Sequence, residues 1–84
     1  SIGMSKALSP QETNAKRILF IMVNEQGLRA GDGMSPDNLT HDLTRHEISQ
    51  ADQLQAVQYA KDKGWLRDGP YGELQLTETG FALD

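Results

Sequence analysis

The chain has 84 residues and a formal net charge of −4, with a pI of about 5.0. This length suits one small domain, and the absence of cysteine excludes a disulfide framework and a thiolate metal site. A hydrophobic fraction of 37% is typical of a globular domain, and the acidic balance excludes a strongly basic nucleic-acid binder at the level of whole-chain charge.

No segment has the pattern of a membrane span or of a secretory signal. The longest apolar run, 18–23, is six residues, whereas a spanning helix needs about 20. No basic stretch precedes an apolar one at the N-terminus, and we expect a cytoplasmic protein with no membrane partner. Residues 1–8 are expected to form a flexible leader, in which 1–3 precede Met4 and are interpreted as an expression remnant. The single domain is expected to span 9–84.

The first helix is predicted to begin at Ser9, which is followed by Pro10 and, three residues after Ser9, by Glu12. A serine cap, proline at the first helical position and a glutamate that closes a capping box together mark a helix start. The helix should run to about Gln26 and end at Gly27.

Apolar residues cover nearly all sides of this first helix. One stripe at helical spacing comprises Ala15, Ile18, Leu19, Met22 and Val23. Phe20 and Ile21 lie outside the stripe, and we predict that they form a homodimer interface, because so small a domain has few layers with which to cover a helix all round. The alternative is that the leader or the C-terminal turn covers them.

Two further helices follow the glycine-rich loop 27–33, beside which a short edge strand is expected. Ser35-Pro36 repeats the start signal, and the second helix should span about 36–43. The third should begin at Ser49 and end at Gly64. Its predicted buried face comprises Ala51, Leu54, Ala56, Val57 and Ala60, and the opposite face comprises Asp52, Gln55, Tyr59 and Asp62, with Gln58 near the border.

After Gly64 the pattern changes to that of a β-hairpin. Residues 65–67 and 73–77 read as strands, and 68–72 are dense in turn-forming residues. Trp65 is expected to close the core between the third helix and the hairpin. Thr77 is expected to cap a last helical turn that carries Phe81 and Leu83.

Three pieces of sequence follow one another in this order: Gly64-Trp65-Leu66, the glycine-rich turn and Leu76-Thr77-Glu78-Thr79-Gly80. This order is seen in winged helix-turn-helix domains, and the chain resembles that family from 9 to 84. The resemblance implies a mainly α fold of three helices plus a small β-hairpin, the wing. In this family the third helix usually enters the DNA major groove and the wing touches the backbone or minor groove. The base-reading positions it implies are Asp52, Gln55, Gln58 and Tyr59. The phosphate-contacting positions are Arg45, His46, Ser49, Lys61, Lys63 and Arg67, with Tyr71 at the wing tip.

The charges of this region depart from those of a typical DNA binder. From 45 to 67 there are four basic and three acidic residues, and the wing has Asp68 and Glu73 with no Lys or Arg between them. Binding to double-stranded DNA is therefore expected either to need a dimer that presents two copies of the surface or to be weak and salt-sensitive. The first functional hypothesis is a small DNA-binding transcription regulator that acts as a homodimer. The alternative is a protein-interaction module that uses the winged-helix scaffold without DNA.

Three features have alternative interpretations. The glutamine-rich third helix is either a base-reading surface or a solvated helix face. Tyr71 either stacks on a base, a ribose or a partner residue, or folds back over Pro70 or Trp65, and the latter is favoured. A polar set at the second helix, comprising Asp37, His41, Asp42, His46 and Glu47, is interpreted as solvated rather than metal-binding, since the two histidines do not share a helix face. No enzyme activity and no cofactor are predicted, because no nucleophile, base and orienting group converge.

Overall fold

The structure is a computed structural model and describes residues 9–83, so the predicted leader lies outside the described residues. The elements are α1 (Pro10–Phe20), continued by a π-helical turn (Ile21–Glu25), β1 (Gly33–Met34), α2 (Pro36–Arg45), α3 (Gln50–Asp62), β2 (Leu66–Asp68), β3 (Leu74–Leu76) and α4 (Glu78–Leu83). The fold is mainly helical with a small antiparallel sheet, as the sequence predicts. Within the described part of the chain, no helix has the length and apolar character needed to cross a membrane.

Serine hydroxyls begin the first three helices, which confirms the predicted start signals. Each accepts a hydrogen bond from the backbone N–H three residues on, at 3.1 Å for Ser9, 3.1 Å for Ser35 and 3.2 Å for Ser49. These bonds satisfy N–H groups that have no partner within the helix. The caps therefore fix where each helix starts.

The first helical segment ends at Gln26 and Gly27, as predicted, but its last turn is not α-helical. The N–H of Gln26 donates to the carbonyl of Ile21 at 2.8 Å, which makes the last turn π-helical, and Gly27 then adopts a φ of +70°.

Ile21 is fully buried within the chain's own core, and Phe20 is 42% exposed. The predicted dimer surface of Phe20 and Ile21 is therefore wrong for Ile21, because the chain itself covers that side chain.

The three strands form one sheet in the order β1–β3–β2, with both pairs antiparallel. Gln75 is paired with Gly33 on one side and with Arg67 on the other. The hairpin and the edge strand are confirmed, and the alternation of β3 places Leu74 and Leu76 in the core.

The buried face of α3 is rotated relative to the predicted one. Ala56 and Ala60 are fully buried as expected, and Gln53 is 5% exposed, but Ala51 is exposed and Leu54 is 70% exposed. Gln53 can be buried because its side-chain amide is hydrogen-bonded. The prediction differed because the periodicity of apolar residues assigned Leu54 to the core.

The chain ends in a short helix, α4, that packs against the segment following α3. The hydroxyl of Thr77 accepts from the N–H of Gly80 at 3.0 Å, which confirms the predicted cap. The same hydroxyl oxygen lies 2.5 Å from the Gly64 carbonyl, to which it donates, and 3.0 Å from the Trp65 carbonyl. Trp65 is 8% exposed and belongs to the core, as expected. Gly80 lies so close to the Trp65 carbonyl that a Cβ there would overlap with it.

Candidate binding groove

An open groove of about 210 Å³ lies between α2, α3 and the β2–β3 hairpin. We call it the α2–α3–hairpin groove. Its lining residues are Pro36, Leu39, Thr40, Leu43, Gln50, Gln53, Leu54, Val57, Lys61, Asp68, Gly72 and Leu74. Leu39, Leu43 and Leu74 are also core residues, so the floor of the groove is the outer side of the hydrophobic core.

The wall between α2 and α3 is held by the side chain of Gln53. Its amide nitrogen donates to the backbone carbonyl of Ile48 at 2.7 Å and to the hydroxyl of Thr44 at 3.2 Å. Between those two partners, Glu47 takes a φ of +63°, a left-handed conformation that costs a non-glycine residue about 1 kcal/mol. The amide therefore ties the start of α3 to the sharply turned connector that joins it to α2.

The opposite wall is closed by an ion pair between α3 and the hairpin. The Lys61 ammonium lies 2.8 Å from Oδ1 of Asp68, and the side chains are 28% and 70% exposed. Lys61 is the one basic residue of the groove lining. Because a carboxylate already neutralises it, the groove presents no unpaired positive charge of its own.

The outer lip of the groove is apolar. Leu54 is 70% exposed, and Val57, one turn further along, is half-buried against the core. The other exposed residues of α3 are Gln50, Ala51, Asp52, Gln55, Gln58 and Asp62, and none of them is basic, although the exposed Lys63 follows directly after the helix. The exposed surface of α3 is thus apolar, amide-bearing and acidic.

Two of the predicted base-reading residues, Tyr59 and Gln55, hydrogen-bond to α1, although Gln55 remains exposed. The hydroxyl of Tyr59 donates to Oε1 of Glu12 at 3.1 Å, and the amide of Gln11 donates to Gln55 at 3.2 Å. Tyr59 is half-buried and meets Trp65 edge-on at 5.7 Å between ring centroids. Burial and then the Glu12 carboxylate raise the pKa of the Tyr59 hydroxyl. The prediction that Tyr59 points away from the core is therefore wrong.

The remaining base-reading candidates, Asp52 and Gln58, are exposed. Gln58 donates to Oδ1 of Asp62 one turn on at 2.9 Å, so its amide is held along the helix surface. Ser49 is occupied as the cap of α3.

The predicted phosphate-contacting side chains each interact with a group close to them. Arg45 donates to Asp42 at 2.8 Å, Arg67 donates to Gln75 at 2.8 Å, and the Lys63 ammonium lies 5.5 Å from the centre of the Tyr59 ring. These contacts direct Arg45 along α2, Arg67 across the sheet and Lys63 toward the α1 side of α3. Of the predicted basic residues, the groove lining includes Lys61 alone.

The hairpin turn exposes an aromatic side chain. Tyr71 is 92% exposed, so the favoured prediction that it folds back over Pro70 or Trp65 is wrong. The turn is held instead by Glu73, whose carboxylate accepts from the Tyr71 N–H at 2.9 Å and from the Gln75 amide at 3.1 Å. Hydrogen bonds from its own backbone N–H and from Gln75 lower the pKa of Glu73.

The polar residues near the end of α2 form separate pairs. His46 lies 3.1 Å from the carboxylate of Glu25, whereas the nearly buried Asp42 accepts from Gln26 and Arg45, each at 2.8 Å. In the range 9–83, no three histidine or acidic side chains come together as a metal site would require.

Searches against models of known families, curated proteins and solved structures find no match to the chain. The geometry of the groove alone therefore supports a function.

The periodicity of apolar residues in α3 did not predict the groove, because it assigned Leu54 to the core. The sequence signal available was Ala56 and Ala60, which are spaced by one helical turn and are both fully buried in the structure.

Proposed function

We propose that the chain is a winged-helix domain that binds another protein through the α2–α3–hairpin groove. The order of three helices, hairpin and terminal helix supports the winged-helix assignment, together with the Gly64-Trp65-Leu66 step after α3. The observation that carries the functional proposal is the exposed Leu54 beside a groove whose floor is apolar.

The surface concerned is the one that a winged-helix protein usually turns toward DNA. Phosphate contacts from Lys and Arg supply most of the affinity of such complexes. Here the exposed middle of α3 has no basic residue, Lys61 is paired with Asp68, and the hairpin turn has Glu73 but no Lys or Arg. A DNA backbone laid along this surface would meet carboxylates and apolar side chains.

The same surface has the features of a protein interface. A single exposed leucine is ordinary in a folded protein. Leu54, however, lies next to half-buried Val57 and above a depression that reaches Leu39, Leu43 and Leu74. An apolar depression with a polar rim can accept an anchor side chain from a partner, and such anchors dominate binding energy.

A DNA-binding regulator that acts as a homodimer is the second candidate. The exposed Gln58 and the exposed Tyr71 favour it, because an amide can read adenine and an aromatic ring can stack on a base or sugar. With so few free basic groups in one copy, this candidate depends on a dimer that doubles the number of phosphate contacts.

A peptide-display selection tests the proposal even though the natural partner is unidentified. Random peptides are selected on the wild-type protein and then measured on Leu54→Gln and on Ala51→Gln. Both variants introduce the same side chain at an exposed position of α3, but of these two residues only Leu54 lines the groove. We expect peptides that lose at least about 10-fold in affinity on Leu54→Gln and less than about 2-fold on Ala51→Gln.

Two outcomes would contradict the proposal. One is that no peptide is enriched, and the other is that enriched peptides bind both variants equally. Titration of the wild-type protein with random duplex DNA at low salt provides the comparison, because micromolar binding there would favour the second candidate.

A further inference from the structure

The leader joins the domain beside α3, because the start of α1 lies against the middle of that helix. The amide of Gln11 donates to Gln55 at 3.2 Å, and the hydroxyl of Tyr59 donates to Glu12 at 3.1 Å. Ser9, the cap of α1, comes just before these contacts in the chain. The leader is therefore attached close to Gln55.

The groove lies about a quarter of a turn around α3 from that attachment. Successive residues of an α-helix point about 100° apart, and Leu54, the neighbour of Gln55, lines the groove. On a helix about 10–12 Å wide, this angle corresponds to a path of about 10 Å around its surface. Ala51, Gln58 and Asp62 lie between the two directions, and all three are exposed. An exposed strip of α3 therefore joins the start of α1 to the groove.

The leader is long enough to follow this path. The segment Met4–Leu8 spans up to about 17 Å when extended, which exceeds the path around α3. Met4 provides an unbranched apolar side chain, which adapts to irregular apolar cavities. Cavities that bind small molecules usually measure about 300–1,000 Å³, whereas the groove measures about 210 Å³ and suits one or two apolar side chains.

The charges of the leader and of the exposed strip are complementary. Lys6 is the one charged side chain of the leader. The charged residue of the strip is Asp62, and one of its carboxylate oxygens accepts from Gln58 at 2.9 Å. Lys6 follows Met4 by two residues, so it crosses the strip when Met4 reaches the groove. Such an attraction between exposed charges is modest and is weakened by salt.

We propose that the leader binds in the α2–α3–hairpin groove of its own chain, with Met4 beside Leu54 and Val57, and thereby competes with a protein partner. The inference rests on the proposed function, since it specifies how access to the same groove is regulated. An occupant attached by a short linker acts at an effective concentration of about millimolar, so weak binding is enough to fill the groove. The apparent affinity of a partner then falls with the fraction of molecules whose groove is free.

Two variants of the full chain test this inference without any ligand. Met4→Gln replaces the proposed anchor, and Ser5→Gln introduces the same side chain at the next position as the matched control. In amide spectra of the ¹⁵N-labelled protein, we expect Met4→Gln to move the signals of Leu54, Val57 and Leu74 and Ser5→Gln to leave them in place. The difference should not depend on protein concentration, because the contact is within one chain.

A groove-binding peptide measures the competition. The peptide is one that is selected on the wild-type protein and whose binding depends on Leu54. Met4→Gln should raise its affinity about 3-fold or more, because the groove loses its internal competitor. Ser5→Gln should change the affinity less than about 1.5-fold.

The outcomes separate this inference from the proposed function. Unchanged groove signals in Met4→Gln, or equal changes in both variants, would overturn the inference. Changes confined to Phe20 would overturn it by placing the leader on another surface, and changes that grow with protein concentration would do so by indicating a second copy. A peptide that depends on Leu54 but binds the wild type and Met4→Gln equally would overturn it and leave the groove as a protein-binding site. If no peptide is enriched while the groove signals move as expected, the proposed function fails and the binding of the leader stands.

Discussion

Gln53→Ala should both destabilise the protein and loosen the groove. The side chain is 5% exposed and donates to the Ile48 carbonyl at 2.7 Å and to the Thr44 hydroxyl at 3.2 Å. Alanine removes both bonds and leaves the Ile48 carbonyl without this partner. The connector between α2 and α3 then has fewer contacts to hold the turn at Glu47.

The expected loss follows from those two hydrogen bonds. A hydrogen bond contributes about 0.5–1.5 kcal/mol net to stability, so two give about 2 kcal/mol. For a domain of this size, 1 kcal/mol shifts Tm by about 4–8 °C, and Tm should therefore fall by about 12 °C. Alanine is also a better helix former than glutamine, so the control variant must make the same replacement.

Gln58→Ala is that control, because it makes the same replacement in the same helix at an exposed position. Its one side-chain bond, to Asp62, is on the helix surface, so the free energy of unfolding should change by less than about 0.5 kcal/mol. Urea denaturation followed by circular dichroism measures both variants, and the m-value should stay unchanged. Equal stability of Gln53→Ala and Gln58→Ala would refute the role assigned to Gln53.

Three further predictions concern the elements that frame the groove. Gly80→Ala should destabilise by about 1–3 kcal/mol in thermal melts, because its Cβ would overlap with the Trp65 carbonyl. If Gly80→Ala is as stable as the wild type, α4 can move away from the Trp65 carbonyl and the prediction is wrong. Ser49→Ala should cost about 1 kcal/mol in urea denaturation by removing the cap of α3, and an unchanged midpoint would contradict the cap. The lowered pKa of Glu73 adds stability that is present above its unfolded-state pKa and is lost as pH falls through its folded-state pKa. Glu73→Gln should therefore lose less stability than the wild type between neutral and acidic pH, and parallel curves would contradict this.

Local signals in the sequence predict most of the fold. Serine followed by proline marks the start of α1 and of α2, and the alternation after Gly64 marks the hairpin, because these patterns depend on only a few neighbouring residues. The π-helical turn after Phe20 was not predictable in this way. It depends on how the end of α1 meets the core, where both Ile21 and Met22 are fully buried.

The site was less predictable than the fold. Periodicity placed Leu54 inside and Tyr59 outside, whereas the structure exposes Leu54 and packs Tyr59 against Trp65 and Glu12. Which side of α3 is buried depends on where α1 lies. That long-range packing gives the Tyr59 hydroxyl a partner 47 positions away in the chain. The acidic character of the third helix and hairpin was visible in the sequence, and of these carboxylates the structure places Asp68 in the groove lining, where it is paired with Lys61.

Chemical-shift mapping on the ¹⁵N-labelled protein shows residue by residue whether the groove binds a peptide or DNA. One sample is titrated with a peptide enriched on the wild-type protein and a second with random duplex DNA at low salt. We expect that the peptide shifts the amide signals of Leu54, Val57 and Leu74, and that DNA at the same concentration shifts none of them. Peptide-induced shifts confined to Arg67 and Gln75 on the sheet, or DNA-induced shifts along α3 and the hairpin, would contradict it.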